Sequence, residues 1–285
     1  MEIESLSNQK IEGGLRTRGA FHKKSESGKP LVSIITVVRN GEKYLEQTIQ
    51  SVLNQTYKNI EYIIIDGAST DGTLNIIRKY DDQIAYWISE PDEGIYDAMN
   101  KGVGFVTGEW IYFLGSDDVL LNVLHEITGN FIDRKTVYYG DVLLRGRNKI
   151  YGGKYNNYKL IFQNICHQAI FYPKIVFKKY LFQTKYKIYA DYYLNILCFR
   201  DPEYDFKYIS KVVAIFNDIG GFSANNKDVI FQKDKMMVYK EHFPYSYLVY
   251  RIRRYIGNIL EVIGVKKEVK RLRDKIVKLV KYELL

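Results

Sequence analysis

Between Leu31 and Asp118 the chain alternates four short apolar runs with three segments of helical period. Near-continuous apolar strands must be buried on both faces, and parallel neighbours need crossovers of helix length. That rhythm therefore predicts an α/β fold, a Rossmann-like, mostly parallel sheet with helices on both faces. The runs are Leu31 to Val38, Ile60 to Ile65, Ile84 to Ile88 and Trp110 to Leu114. Between them Glu42 to Gln55 sets Leu45, Ile49, Val52 and Leu53 on one helical face, and Thr73 to Tyr80 and Tyr96 to Val106 read as further helices.

Polar residues fall at the ends of these runs. Arg39 and Asn40 follow the first, Asp66 ends the second, Glu90 and Asp92 follow the third, and Asp117 and Asp118 lie beyond the fourth. In open parallel sheets the carboxyl ends of the strands line the ligand crevice, so residues scattered in sequence converge on one site. Grouped carboxylates repel each other and would repel a phosphate. They make chemical sense with a divalent cation, Mn²⁺ or Mg²⁺, held between them and a diphosphate. Gly115-Ser116-Asp117-Asp118 is the strongest candidate tract for that cation. The alternative is a plain acidic turn with Asp118 as N-cap of a following helix.

Other chemistries find less support. Thr70-Asp71-Gly72-Thr73 resembles a phosphatase signature, but Ser69 stands where the nucleophilic aspartate belongs. Gly102-Val103-Gly104 lies late in a helical segment, not between a strand and a helix start, and no Walker loop or nucleophile elbow occurs. Two separated cysteines, Cys166 and Cys198, make neither a disulfide framework nor a zinc site, which favours a reducing compartment. Residues 1–29 are polar, without the apolar core of a signal peptide, and no apolar stretch approaches the roughly 18 residues of a membrane span. A cytoplasmic protein is expected.

Together these segments resemble family 2 glycosyltransferases of the GT-A fold. The resemblance rests on VSIITVVRNGEKYLEQTIQSVLNQTYKNIEYIIIDGASTDGT from Val32 and on SEPDEGIYDAMNKGVGFVTGEWIYFLGSDD from Ser89. It continues more weakly through Cys166-His167-Gln168 and Ala190-Asp191-Tyr192 to about Asn217. It implies inverting transfer of a sugar from a nucleotide-diphosphate donor, a UDP-sugar foremost, assisted by Mn²⁺ or Mg²⁺. Asp117 and Asp118 then occupy the metal and diphosphate motif. Thr36, Val37, Arg39, Asn40 and Asp66 would hold the nucleoside, Asp92 would lie near the base or ribose, and Lys101 would reach a phosphate. Asp191 matches the general base, which a single displacement needs as the acceptor hydroxyl attacks. At a helix start the same residue could be an N-cap alone. His167 matches a histidine on the acceptor side, although a lone histidine is often a hydrogen-bonded core residue.

Two departures stand out: Gly115 replaces the first acid of the usual D-x-D-D tract, and Gly67 replaces a second aspartate after Asp66. The missing Q-x-x-R-W segment and membrane spans favour addition of one sugar at a time. Bacterial surface polysaccharide such as O-antigen, with a glycan or polyprenyl-diphosphate-linked saccharide as acceptor, is the implied setting. A nucleotidyltransferase acting on a sugar phosphate is the alternative enzyme, but RNGEKYLEQ lacks a glycine-rich basic phosphate loop.

Net charge is +9, and residues 246–285 carry eleven basic against four acidic side chains. The basicity therefore belongs to the C-terminal end, and a nucleic-acid-binding module is disfavoured because most aromatics lie outside it. The sequence divides into a polar extension (1–29), a catalytic domain (30–243) and a basic tail (244–285). In the tail Leu248, Ile252, Tyr255, Ile259 and Val262, then Val265, Val269, Leu272, Ile276 and Leu279, repeat spacings of 4 and 3. Two amphipathic helices follow, suited to an anionic membrane surface or to pairing in a homodimer.

Overall fold

The structure is a computed structural model that describes residues 10–220 and 227–262, with side chains placed to residue 255. The second amphipathic repeat of the tail, from Val265, and the start of the polar extension lie outside the described residues. The chain falls into two compact units, Met1–Tyr155 with Asn164–Gln232, and Asn156–Gln163 with Lys233–Leu285.

The first unit is built on one sheet. Its strands are β1 (Ile11–Gly13), β2 (Val32–Val38), β3 (Ile60–Asp66), β4 (Tyr86–Ser89), β5 (Trp110–Gly115), β6 (Val119–Leu120), β7 (Thr136–Leu144), β8 (Lys149–Tyr151), β9 (Ile170–Pro173) and β10 (Asp205–Phe216). They run in the order β1-β4-β3-β2-β5-β9-β7-β10-β6, with β8 on the flank of β7. The four strands read from the apolar runs are parallel neighbours, β4-β3-β2-β5. Beyond β5 the sheet turns mixed, because β9 enters antiparallel to both β5 and β7. The helices α1 (Leu45–Leu53), α2 (Thr73–Lys79) and α3 (Ile95–Gly104) make the crossovers. Short α4 (Leu124–Ile127) and α6 (Val176–Lys179), and the longer α7 (Ala190–Arg200), complete the unit together with the start of α8 (Val229–His242).

Each helix lies where its apolar face dictates. Leu45, Ile49 and Val52 of α1 join the core with Ile34, Tyr62 and Ile64 of the sheet. The helix starts at Leu45, not Glu42, because the Glu42 carboxylate accepts from the Gly72 amide at 2.6 Å and holds that residue in the preceding turn. Asp118 is followed by β6, so the N-cap alternative is not realised. Residues 157–173 divide into α5 (Asn157–Phe162), a 3₁₀ turn (His167–Ala169) and β9. Asn156 starts α5 by accepting from the Lys159 amide.

Part of the polar extension is structural. β1 pairs antiparallel with β4, and the next residues continue onto Ile84 and Ala85. Arg16 pairs with Glu61, which is fully buried and also accepts from Ser33 at 2.5 Å and from the Thr107 amide at 2.8 Å. A buried carboxylate left without its cation is strongly destabilising. Arg16→Met should therefore lower unfolding free energy by about 3–5 kcal/mol, read by urea denaturation. A loss under 1 kcal/mol would mean that the hydroxyl and amide donors alone sustain Glu61.

In the second unit α5 meets α9 (Pro244–Val262). Arg253 donates to the Tyr158 hydroxyl at 2.7 Å and lies over the Phe162 ring, and Phe162 packs on Tyr250.

Candidate active site

The chain runs from β2 outward through β3 to β4, then returns to place β5 on the other side of β2. The crevice therefore opens at the carboxyl ends of β2 and β5, the switch point of the sheet. Beside β2 the loops are laced together. Asn40, at φ 54°, receives the Thr70 amide on its side chain at 2.8 Å and gives its own amide to Ser69 at 2.7 Å. Gly41 donates to Thr73, and Glu42 donates to Asp71.

Two of the residues expected on the nucleoside turn inward. Thr36 is fully buried and its hydroxyl accepts from Tyr62. Asp66, equally buried, accepts from the Ser69 amide and hydroxyl and from Ser89 at 2.6 Å, which ties β3, β4 and the following loop. Both are strand-end polar groups that complete the scaffold. Val37 and Arg39 stay accessible at the crevice. Asp92 also stays partly open, held by the Gly94 amide at 2.8 Å. Its carboxylate fills the space that a Cβ on Gly67 would enter. The glycine thus explains itself, since Asp92 stands where a second strand-end aspartate would project. Lys101 lies beside this loop, bonded to the Pro91 carbonyl and paired with Glu90 at 3.1 Å and Asp97 at 3.5 Å.

At the end of β5, Asp117 is partly open and Asp118 is 1% exposed. Asn217 binds both, its amide donating to Asp118 at 2.8 Å and its side chain to Asp117 at 2.9 Å. Gln168 gives the second bond to Asp118, at 2.7 Å. A side chain on Gly115 would collide with the Asp118 carboxylate in its present position. Burial, and next the charge of Asp117, push the Asp118 carboxyl up to about 6.

Among the described residues no three His, Cys, Asp or Glu side chains gather to hold a metal ion alone. Asp117 and Asp118 nevertheless keep free acceptor lone pairs and form no ion pair among the described residues. Two uncompensated carboxylates suit a hard cation that takes its remaining ligands from phosphate oxygens and water.

Across the crevice Asp191 begins α7 and is 6% exposed. One carboxylate oxygen accepts the Asn164 amide at 3.0 Å and faces His167 Nδ1 at 3.2 Å. The other takes the Tyr192 backbone amide at 2.7 Å and shares the Tyr96 hydroxyl proton with the Ile188 carbonyl. Behind Asn164 the chain of bonds continues through Asn195 to Tyr172. Asp228 caps α8 and receives the Ile188 and Tyr189 amides, fixing the segment that enters α7.

The turn Cys166-His167-Gln168 joins the two halves, since His167 faces Asp191 while Gln168 holds Asp118. The resemblance had named His167 but not the roles of Gln168, Asn217, Asn164, Asn195 or Asp228. One signal was legible: Asn195 lies four residues after Asp191, on the same buried face of an apolar helix.

An α/β sheet with these strand-end groups defines the class as an enzyme of the GT-A fold. The chain belongs to glycosyl transferase family 2, whose model matches residues 33–205, and it is a glycosyltransferase. A relative from Mycobacterium tuberculosis, named as a PGL/p-HBAD biosynthesis glycosyltransferase, is 36% identical over 214 residues, 72% of this chain and 83% of the relative. Among solved structures, TarS residues 1–349 from S. aureus with UDP-GlcNAc superimposes with TM-score 0.59 at 19% identity, over 74% of this chain and 64% of that one. The mannosyltransferase PcManGT from Pyrobaculum calidifontis, in complex with GDP-Man and Mn²⁺, gives 0.54 at 17% identity, over 79% and 65%. The chain spans less than two thirds of either structure's length.

Proposed function

We propose that the protein transfers a single sugar, with inversion, from a nucleotide-diphosphate sugar to a hydroxyl of a glycan or lipid-linked saccharide. The observation that carries this reading is the Cys166-His167-Gln168 turn, which couples a carboxylate pair suited to a diphosphate to a buried acid–histidine pair suited to an attacking hydroxyl. Val37, Arg39, Asn40 and Asp92 line the nucleoside side, and Asp117 with Asp118 face the diphosphate. The Asp191–His167 pair supplies basicity on the acceptor side, and attack by the acceptor hydroxyl in one displacement, with departure of the nucleoside diphosphate, inverts the anomeric centre.

TarS with UDP-GlcNAc and PcManGT with GDP-Man and Mn²⁺ support a nucleotide-sugar donor and a divalent cation, for which this reading takes a UDP-sugar and Mn²⁺ or Mg²⁺. Bound at Asp117 and Asp118, the cation would offset the charge that develops on the departing diphosphate. Release of nucleoside diphosphate from a panel of UDP-sugars and GDP-mannose tests the reading. Excess chelator should abolish release and added Mn²⁺ or Mg²⁺ restore it; full activity in chelator would remove the cation from the proposal.

The tail is assigned by the same proposal to an anionic membrane surface that bears the acceptor. Leu248, Ile252 and Tyr255 are exposed on α9 beside Arg251 and Arg254, the pattern of an interfacial helix. Among the described residues no helix is long and apolar enough to cross a membrane. The full chain should co-sediment with anionic vesicles in a salt-sensitive way. A soluble dimer that ignores vesicles would assign the stripe to self-association instead.

A further inference from the structure

We infer that the turn between β7 and β8 holds an acidic group of the acceptor, a phosphate ester that joins the saccharide to a hydrocarbon chain, through Arg147 and Lys149; this rests on the transferase reading above and deepens its acceptor. The first observation is charge. Residues 30–243 balance their acids and bases as a whole, but not locally. From Val142 to Ala190 the chain carries ten lysines and arginines and no aspartate or glutamate. Three of those cations, Arg145, Arg147 and Lys149, lie at the β7–β8 turn, which closes with Asn148 at φ 45°.

Topology puts the turn at the crevice. β5 and β7 both run antiparallel to β9, so they end at the same edge of the sheet. β8 bonds to the side of β7 that β9 also uses, and β9 lies between β7 and β5. The turn is therefore across Asp117 and Asp118 from the nucleoside strands β2 to β4, on the side of His167. Val142 and Leu144 pack with Ala169 of the His167 turn, and Lys149, opposite Leu144 in the ladder, shares that face.

A short relay ties the turn to the carboxylates. The Gly146 amide and Arg147 Nε donate to the Asp218 carboxylate at 2.6 and 2.7 Å, while the neighbouring Asn217 donates to Asp117 and Asp118. Asp218 engages only Nε. The two Nη groups of Arg147 make no hydrogen bond among the described residues, and its side chain is 67% exposed. A guanidinium anchored in this way presents its remaining N–H donors as a fork that matches two phosphate oxygens. Lys149 is exposed and forms no ion pair among the described residues, so it adds an uncompensated charge beside that fork.

The hydrocarbon is argued from two other side chains. Ile150, 57% exposed, follows Lys149, and Ile219, 68% exposed, lies against Gly146. Exposed apolar groups beside cations suit the junction between a phosphate and its alkyl chain. The donor diphosphate has its own place at Asp117 and Asp118, which Asn217 separates from the Asp218–Arg147 pair.

Farnesyl diphosphate is the probe, with farnesol and inorganic diphosphate as its apolar and anionic halves. All three are titrated into the full chain in chelator, so that no cation draws a diphosphate to Asp117 and Asp118. Farnesyl diphosphate should bind more tightly than either half. Lys149→Gln should weaken it about 10-fold, the effect of losing one hydrogen bond to a charged group, and Arg147→Gln at least as much. UDP affinity measured with Mn²⁺ should stay unchanged in Lys149→Gln. Arg147→Gln also releases Asp218, so Lys149→Gln, which breaks no ion pair among the described residues, carries the test if the first variant loosens the turn. Unchanged farnesyl diphosphate binding in Lys149→Gln and in the double variant overturns the site and leaves the tail as the lipid contact. Equal affinity for either half overturns the ester as occupant, and a parallel loss of UDP affinity overturns the assignment to the acceptor. None of these titrations needs turnover, so failure to cleave any sugar donor would overturn the transferase reading alone.

Discussion

Asp191→Asn should lower turnover by about 10²- to 10⁴-fold while leaving donor KM close to that of the wild type. The expectation follows from geometry on both sides of the residue. Among the described residues no hydrogen bond joins Asp191 directly to Asp117 or Asp118, so the change leaves the carboxylates proposed for the diphosphate in place. Asparagine has nearly the same shape, and Asn164, Tyr96 and the Tyr192 amide already surround it. The amide removes the negative charge beside His167 and offers an N–H where a lone pair stood. The acceptor hydroxyl then loses its base. Steady-state kinetics with the cleaved donor, alongside an equilibrium titration of nucleoside diphosphate, separate the cases. A variant that loses nucleotide affinity, or melts well below the wild type, would make Asp191 a structural cap of α7.

The sheet and the placing of the crevice were legible because they depend on long, strongly patterned features. β2, β3 and β5 are mostly apolar runs whose burial has no other solution, and the polar residues that follow them had to lie at the strand ends. The direction of each polar side chain was not legible. Thr36 and Asp66 have the composition of ligand-binding residues, yet Tyr62, Ser69 and Ser89 turn them into scaffold. Period and residue type do not distinguish a polar group that meets a ligand from one that completes a neighbour's hydrogen bonds. β1 escaped notice because a three-residue edge strand in which only the glycine is buried carries almost no pattern. Gln168, Asn217 and Asp228 act on site partners 39 to 100 positions away, and such isolated residues have no local signal; the bond from Asn217 to Asp117 spans 100 positions.

Asp118→Asn should abolish cation-dependent transfer and, in the absence of cation at pH 7.5, should make the protein more stable. The two outcomes have one cause. In the fold the Asp118 carboxyl sits at about 6 against 3.8 for the free side chain, chiefly through burial and then through Asp117. A raised carboxyl binds its proton more tightly folded than unfolded. Its favourable contribution is therefore complete below the unfolded value and is lost as pH rises through about 6, so at pH 7.5 the ionised form opposes folding. The shift corresponds to about 3 kcal/mol, a few degrees to about 10 °C in Tm for a domain of this size. Asparagine keeps an acceptor for the Asn217 amide and removes the charge, with the Gln168 amide turning to face the new N–H. Melting curves in chelator should show the variant above the wild type at pH 7.5, with the gap closing by pH 4. Added Mn²⁺ should raise the wild type and leave the variant unmoved, since occupancy by a cation stabilises only the protein that binds it. A variant that melts lower than wild type at pH 7.5 in chelator would mean that the ionised Asp118 carboxylate holds the turn through Gln168 and Asn217 more than it strains it, and the charge deficit would no longer argue for a cation.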